Sequence, residues 1–332
     1  LAIPGILHFM NPWIPLLLIG LLCPLAAASE KFSFVRQLMG TRFSVVCHAG
    51  DRKTAEKAAD LAFSKAAEVE SAASDYLPQS ELSLLSFQAV GQPVRVSPVL
   101  FDLLAHSRRL AEMTGGAFDP TLGPLTKLWR ETRSSGRLPD PATLAAARAA
   151  SGWQHFTLDP DARTVTLHRK NMAFDLGGIA KGHAADLMFE SLAAAGISKA
   201  LVTAGGDIRL GDPPPGRDGW RIALRTFDPA KSDEVLILAN AAVSTSGDLH
   251  QSVEIEGMRY SHILDPGTGL GLTRRVAASV IADEAKLSDP LATAACVLGP
   301  DASGALLHLP GVRDIRMRTP QENFDTDSKT TP

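Results

Sequence analysis

Asp175-Leu176-Gly177-Gly178-Ile179-Ala180-Lys181-Gly182 is the stretch on which the reading of this chain turns. A short apolar run, Met172 to Phe174, precedes it and a helical pattern follows. The order predicts a strand, a glycine turn and the start of a helix. Such a junction gathers unpaired backbone N–H groups at the positive end of a helix dipole, which suits a phosphate. Lys181 adds a mobile positive charge. Glycines at a strand-to-helix turn also serve close packing alone, so the segment has to be weighed with its surroundings.

Working outward, residues 183–195 keep a helical period, with Ala184, Leu187, Met188, Leu192 and Ala195 on one side. Lys199 to Thr203 then reads as a strand, followed by a second glycine pair, Gly205-Gly206, and Asp207. Arg209 to Gly219 reads as a Pro/Gly loop. Strands are expected at 220–226, 234–239, 252–256 and 276–283, and a last helix near Ser288. Upstream, Phe32 to His48 forms one or two strands around Met39-Gly40-Thr41. Helices are expected over Thr54 to Ala73, Pro98 to Met113 and Pro141 to Ala150, with a hairpin from Phe156 to His168. Strands and helices interleave without strict βαβ alternation, which predicts an α+β fold with mixed sheets rather than a doubly wound one. The G-x-G-x-x-G fingerprint of nicotinamide enzymes is absent.

The chain has 332 residues, 45% hydrophobic and 21% charged, with net charge −3, an ordinary globular composition. No basic run with interleaved aromatics points to nucleic acid. Residues 1–28 read as a secretory signal, with an apolar core from Ile14 to Leu22 and Ala26-Ala27-Ala28 as the cleavage site. Met10 is a candidate first residue. The alternative is a lipoprotein anchored at Cys23. Cys47 and Cys296 permit one disulfide but read better as small buried residues. The expected domain runs over 32–318, and the polar residues 319–332 read as a disordered tail.

Three further segments carry chemistry. In Ser288-Asp289-Pro290-Leu291-Ala292-Thr293-Ala294, Ser288 can cap a helix, and Asp289 and Thr293 fall one turn apart on one face. A carboxylate and a hydroxyl so placed form a hard oxygen pair suited to Mg²⁺; Asp in a first turn also serves the helix dipole alone. Tyr260 to Gly269 holds His262 beside an Asp-Pro turn, as a base, a phosphate donor or a packed core residue. Thr114 to Leu125 is dense in Gly and Pro and predicts a fixed, pocket-lining loop.

With these residues in view the chain resembles the ApbE family, the FAD:protein FMN transferases. The matching pieces are Met39-Gly40-Thr41, Ser80-Glu81-Leu82-Ser83, the Gly116 to Leu125 loop, Asp175 to Gly182, Ala204 to Ile208, Ser244 to Asp248, Ser261 to Gly269 and Asp289 to Ala294, in family order. The resemblance implies an α+β, T-fold-related architecture. It also implies a reaction in which FAD, held with Mg²⁺, gives FMN to a threonine hydroxyl of a partner protein and AMP leaves. By position, Asp289, the Thr293 hydroxyl and the Gly178 carbonyl would hold the metal. Asp175 and Lys181 would contact FAD around the turn, and Ala117, Phe118 and Asp119 would line the nucleotide pocket. Tyr76 would stand against the flavin, with Met39 at the same pocket. His262 would sit near the phosphates as the leading candidate for the base, with Asp289 as competitor. Implied partners are periplasm-facing membrane flavoproteins, such as Rnf-type or sodium-pumping quinone reductase subunits or a regulator of nitrous oxide reduction. The family also holds members that split FAD with water, and a flavin-binding protein without turnover is a further alternative.

Overall fold

The computed structural model describes residues 29–224, 234–247 and 252–320. The expected signal segment, Asp248-Leu249-His250-Gln251 and the tail beyond residue 320 lie outside them. The chain opens with β1 (Glu30–Leu38), β2 (Thr41–Ala49), α1 (Arg52–Ala73), α2 (Glu81–Leu85), β3 (Pro93–Arg95) and α3 (Pro98–Met113). It continues through α4 (Gly123–Ser135), α5 (Pro141–Ala149), β4 (Phe156–Asp159), β5 (Thr164–Leu167), α6 (Ala180–Ala194), β6 (Ala200–Ala204) and β7 (Asp207–Leu210). The remainder is β8 (Trp220–Leu224), β9 (Glu234–Leu238), β10 (Ala241–Gly247), β11 (Ser252–Ile255), β12 (Met258–Ser261), β13 (Ala277–Ala282), α7 (Ala285–Leu298), α8 (Pro300–Ser303) and β14 (Val312–Arg318).

One seven-stranded sheet, in the order β1-β2-β6-β7-β10-β13-β14, organises the molecule. Every neighbouring pair in it is antiparallel, so the fold is α+β as the sequence predicts. The β1–β2 turn needs only Met39 and Gly40, both at positive φ (50° and 67°), which matches the twist of a tight hairpin. Along β2, Phe43, Val45, Cys47 and Ala49 alternate inward with period two. Helices α1, α6 and α7 cover that face. α1 starts where the Asp51 side chain accepts from the Thr54 amide, and its buried stripe is mostly alanine, which lets it lie close to its neighbours. The other face is covered by the β8–β9 hairpin, whose Trp220, Ile222 and Leu224 pack with Leu210, Val243 and Ile281. β13 is therefore buried at all of its positions. A third cluster joins Leu125 and Trp129 of α4 to Ile255, Tyr260 and Leu264. Cys47 and Cys296 are both buried and no disulfide joins them.

Several sequence expectations are corrected. Met172 to Phe174 is no strand; Ala173 makes a single parallel bridge with Leu122. Arg209 and Leu210 belong to β7 rather than to a loop. α7 begins at Ala285, a turn before Ser288, so Ser288 is no cap; its buried hydroxyl pairs with that of Ser244 at 2.8 Å. Pro290 therefore lies inside the helix. A proline lacks the N–H that would bond the carbonyl four residues back. The Lys286 carbonyl therefore has no partner of that kind within the helix.

Candidate active site at the junction of two helix N-termini

Helices α6 and α7 cap one another. Neither has a capping side chain of its own. Asp289 of α7 accepts from the Gly182 amide in the first turn of α6, Oδ2 to N 3.0 Å. Asp186 of α6 accepts in return from the Ala285 and Lys286 amides that open α7, at 2.9 and 2.8 Å. Each carboxylate meets the positive end of the other helix. Gly182 permits the approach: a Cβ there would lie 2.2 Å from the Ala285 carbonyl oxygen and 2.8 Å from Asp289 Cβ.

A cation completes the junction. Lys181 Nζ lies 3.0 Å from Asp207 Oδ2 and 3.3 Å from Asp289 Oδ2, and it also donates to the Gly177 carbonyl at 3.2 Å. Lys181 is thus held by three partners, where the sequence suggests a mobile charge. Burial alone would lower its ammonium, but Asp207 and Asp289 outweigh it and hold it above its ordinary value. Asp289 moves upward, first because it is buried and then because Asp207 faces it, with Lys181 and the Gly182 amide opposing. The expected array of unpaired amides is also partly spent. Gly177 N–H bonds Asp175 Oδ1 at 2.8 Å, and Gly182 N–H is taken by Asp289.

Gly178 and Thr293 come together at this point. A Cβ on Gly178 would sit 3.6 Å from Thr293 Oγ1 and 3.5 Å from the Phe118 ring. The Thr293 hydroxyl is 3.0 Å from that of Ser246 on β10. Among the described residues no group of three or more His, Cys, Asp or Glu side chains is arranged to hold a metal. The donor set expected here is of another kind: one carboxylate, one hydroxyl and one backbone carbonyl. It fits a hard cation, because Gly182 and Lys181 engage only Oδ2 of Asp289 and leave Oδ1 for a further ligand.

The other expected residues surround this centre in different ways. Asp119 Oδ1 accepts from the amide and hydroxyl of Thr121, and Oδ2 from the Trp153 amide. Burial raises its carboxyl, against these hydrogen bonds. Asp119 therefore shapes its own loop, and it lines a cavity of about 400 Å³ with Leu122, Leu125, Arg148, Ser151 and Pro266. Ala117 and Phe118 are buried; the Phe118 ring faces the Gly178 bend. Met39 stands at the β1–β2 turn, its amide donating to Glu70 Oε1 at 2.9 Å. Tyr76 is 73% exposed in the segment after α1. His262 is half-buried in the bend that follows β12.

Three residues with a part in the junction went unassigned in the sequence. Asp207 follows the second glycine pair, and only the fold shows that the β6–β7 turn delivers it to Lys181. Ser246 reaches Thr293 from a strand the periodicity did not reveal. Asp186 lies in a helix whose sequence signal is its apolar stripe. It is buried against Arg209, Nε to Oδ1 3.1 Å, and burial pushes its carboxyl up to about 6 against its amide and Arg209 partners.

The fold is thus an α+β one, an antiparallel sheet backed by mutually capped helices, with a lysine, carboxylates and a glycine bend at their junction. A sequence profile of the ApbE family matches residues 39–315, and the chain belongs to that family. A protein named FAD:protein FMN transferase from Vibrio cholerae is 34% identical over 247 residues, 72% of either chain. One of the same name from Treponema pallidum is 36% identical over 252 residues, 70% of this chain and 69% of that one. Among solved structures, the apo flavinyl transferase ApbE of Pseudomonas stutzeri superposes with a TM-score of 0.77 at 28% identity, covering 88% of this chain and 95% of that one. The ApbE protein of Thermotoga maritima does so with 0.78 at 27% identity, covering 87% and 97%.

Proposed function

We propose that this chain transfers FMN from FAD to a threonine hydroxyl of a target flavoprotein, in a Mg²⁺-dependent reaction that releases AMP. The observation that carries the reading is the meeting of Asp289, Thr293 and the Gly178 bend at one point, beside Lys181. The hydroxyl oxygen attacks the phosphorus on the FMN side of the pyrophosphate and a new P–O ester bond forms. The bond from that phosphorus to the bridging oxygen breaks, and AMP leaves with its electron pair. The threonine proton passes to a base, for which His262 is the candidate and Asp289 the competitor. Bound Mg²⁺, held by Asp289, Thr293 and the Gly178 carbonyl, would supply charge neutralisation on the pyrophosphate. Lys181 fixes the carboxylate that serves the cation, and the bend lets the ligand approach main chain. Asp175 orders the bend through the Gly177 amide. The reading places the enzyme on the periplasmic side of a membrane, delivered by residues 1–28, with respiratory flavoproteins such as Rnf-type or sodium-pumping quinone reductase subunits as acceptors.

The test is to incubate the protein with FAD and Mg²⁺, with and without an acceptor domain, and to follow AMP and flavin fluorescence on a denaturing gel. Transfer gives a fluorescent acceptor band together with AMP. AMP without labelled acceptor means that water is the nucleophile, and no AMP in either case means a binding protein. Asp289→Ala is expected to abolish turnover, since it removes the one charged donor for the cation. Wild-type rates from that variant in Mg²⁺ would overturn the site.

A further inference from the structure

We propose that Arg130 is a positioning residue for the flavin end of the ligand, acting by fixing the ring of Tyr76 against the Asp175 turn; the inference rests on the FAD reading above. Tyr76 is an aromatic side chain with 73% of its surface in solvent. Burial does not hold such a ring in one attitude. Arg130 does: its guanidinium carbon lies 4.2 Å from the Tyr76 ring centroid. The guanidinium is itself tied. Nη1 lies 2.6 Å from Asp75 Oδ2, on the residue next to Tyr76, and Nη2 lies 3.9 Å from Asp175 Oδ2. One side chain thus joins the end of α1, helix α4 and the glycine bend.

The mount for Arg130 is rigid. Trp129 before it is 3% exposed and donates from Nε1 to the Ser261 carbonyl at 3.1 Å. The Tyr76 segment is anchored at its base as well, where Ser80 caps α2 and donates to the Ser74 carbonyl at 2.5 Å. Burial and the neighbouring Asp175 raise the Asp75 carboxyl, and Arg130 opposes them. Arg130 also offsets the charge of Asp75 and Asp175, whose side chains keep only 20% and 19% of their surface in solvent, and the melting curves below read that part separately. Its effect is to cut the freedom a planar ligand would otherwise have to remove from the ring.

The experiment measures FAD and ADP binding to the full chain by calorimetry for wild type, Arg130→Met, Tyr76→Ala and the double variant, with melting curves alongside. ADP lacks the flavin and serves as the internal reference. Arg130→Met is expected to weaken FAD about fivefold, the scale of one cation–π contact, with ADP affinity unchanged. In the Tyr76→Ala background Arg130→Met should have no further effect on FAD, and Arg130→Lys should recover part of the loss. Equal weakening of FAD and ADP, or additivity of the two substitutions, overturns the proposal. FAD binding by wild type with Arg130→Met indistinguishable from it overturns this proposal alone, whereas no FAD binding by wild type overturns the FAD reading with it.

Discussion

Lys181 is the residue on which the charge balance of the site rests. Asp207 and Asp289 both point at it, and without it two buried carboxylates face each other. Removing one partner from a buried ionic cluster leaves uncompensated charge. Lys181 keeps 30% of its side-chain surface in solvent, so Lys181→Met is expected to cost about 3 kcal/mol, the lower end of that effect. Urea titration at pH 8 measures it. Adding Asp207→Asn to the variant should return part of the loss, because one of the two like charges is gone. A Lys181→Met protein as stable as wild type would show that the ammonium does not compensate these acids. The sequence carried Lys181 and Asp289 as separate candidates, one for a phosphate and one for a metal. Their contact bridges 108 positions along the chain, and no local spacing encodes it.

At the scale of elements, the crossing of α6 and α7 sets the site. Gly182 touches the Ala285 carbonyl, so Gly182→Ala must push the helices apart or bend one of them. Overpacking of this kind costs about 1–3 kcal/mol, and the same shift withdraws Asp289 from the Gly178 bend. The expected result is a lower melting temperature together with a higher Mg²⁺ concentration for half-maximal activity. Unchanged values of both would mean that the helices do not approach as described. Asp186→Asn tests the reciprocal cap. Asparagine keeps one acceptor for two amides and leaves Arg209 without its charged partner, a loss of about 1–2 kcal/mol read from urea midpoints. Midpoints equal to wild type would show that the cap does not hold α7. Much of this level was legible in advance. The helix periods of α1 and α3, the hairpin turns and the one-turn spacing of Asp289 and Thr293 are local properties. The start of α7 was not, because its cap comes from Asp186 of another helix while Ser288 offered a false local one. β10 and β14 escaped for a similar reason: they are mixed in polarity, and their pairing partners in the sheet define them more than their own residues do.

At the scale of the whole molecule, the packing of the helices against the sheet leaves a buried imidazole with one ring nitrogen unpaired among the described residues. His183 is 8% exposed, and its Nδ1 finds no hydrogen bond among the described residues. Burial lowers its pKa to about 4, with Lys286 and His106 adding to the effect and Glu284 opposing it. His106 is lowered too, mainly by burial and then by Lys286. In the unfolded chain a histidine titrates near its ordinary value of about 6.5. Between those two values the unfolded chain takes up a proton that the folded one refuses. Stability therefore falls as pH falls through that window, at up to about 1.4 kcal/mol per pH unit for one such group. Above pH 7 both states hold the ring neutral and the contribution is flat. His183→Phe keeps an aromatic ring of similar width and has no proton to take up. Its unfolding free energy, compared with that of wild type from pH 7.5 down to pH 4.5, should rise relative to wild type by about 2 kcal/mol over the window. The remaining acid sensitivity of the variant then belongs to His106 and the other titrating groups. A difference between the two proteins that stays constant with pH would show that His183 is protonated in the native state or paired with a group that accepts its charge.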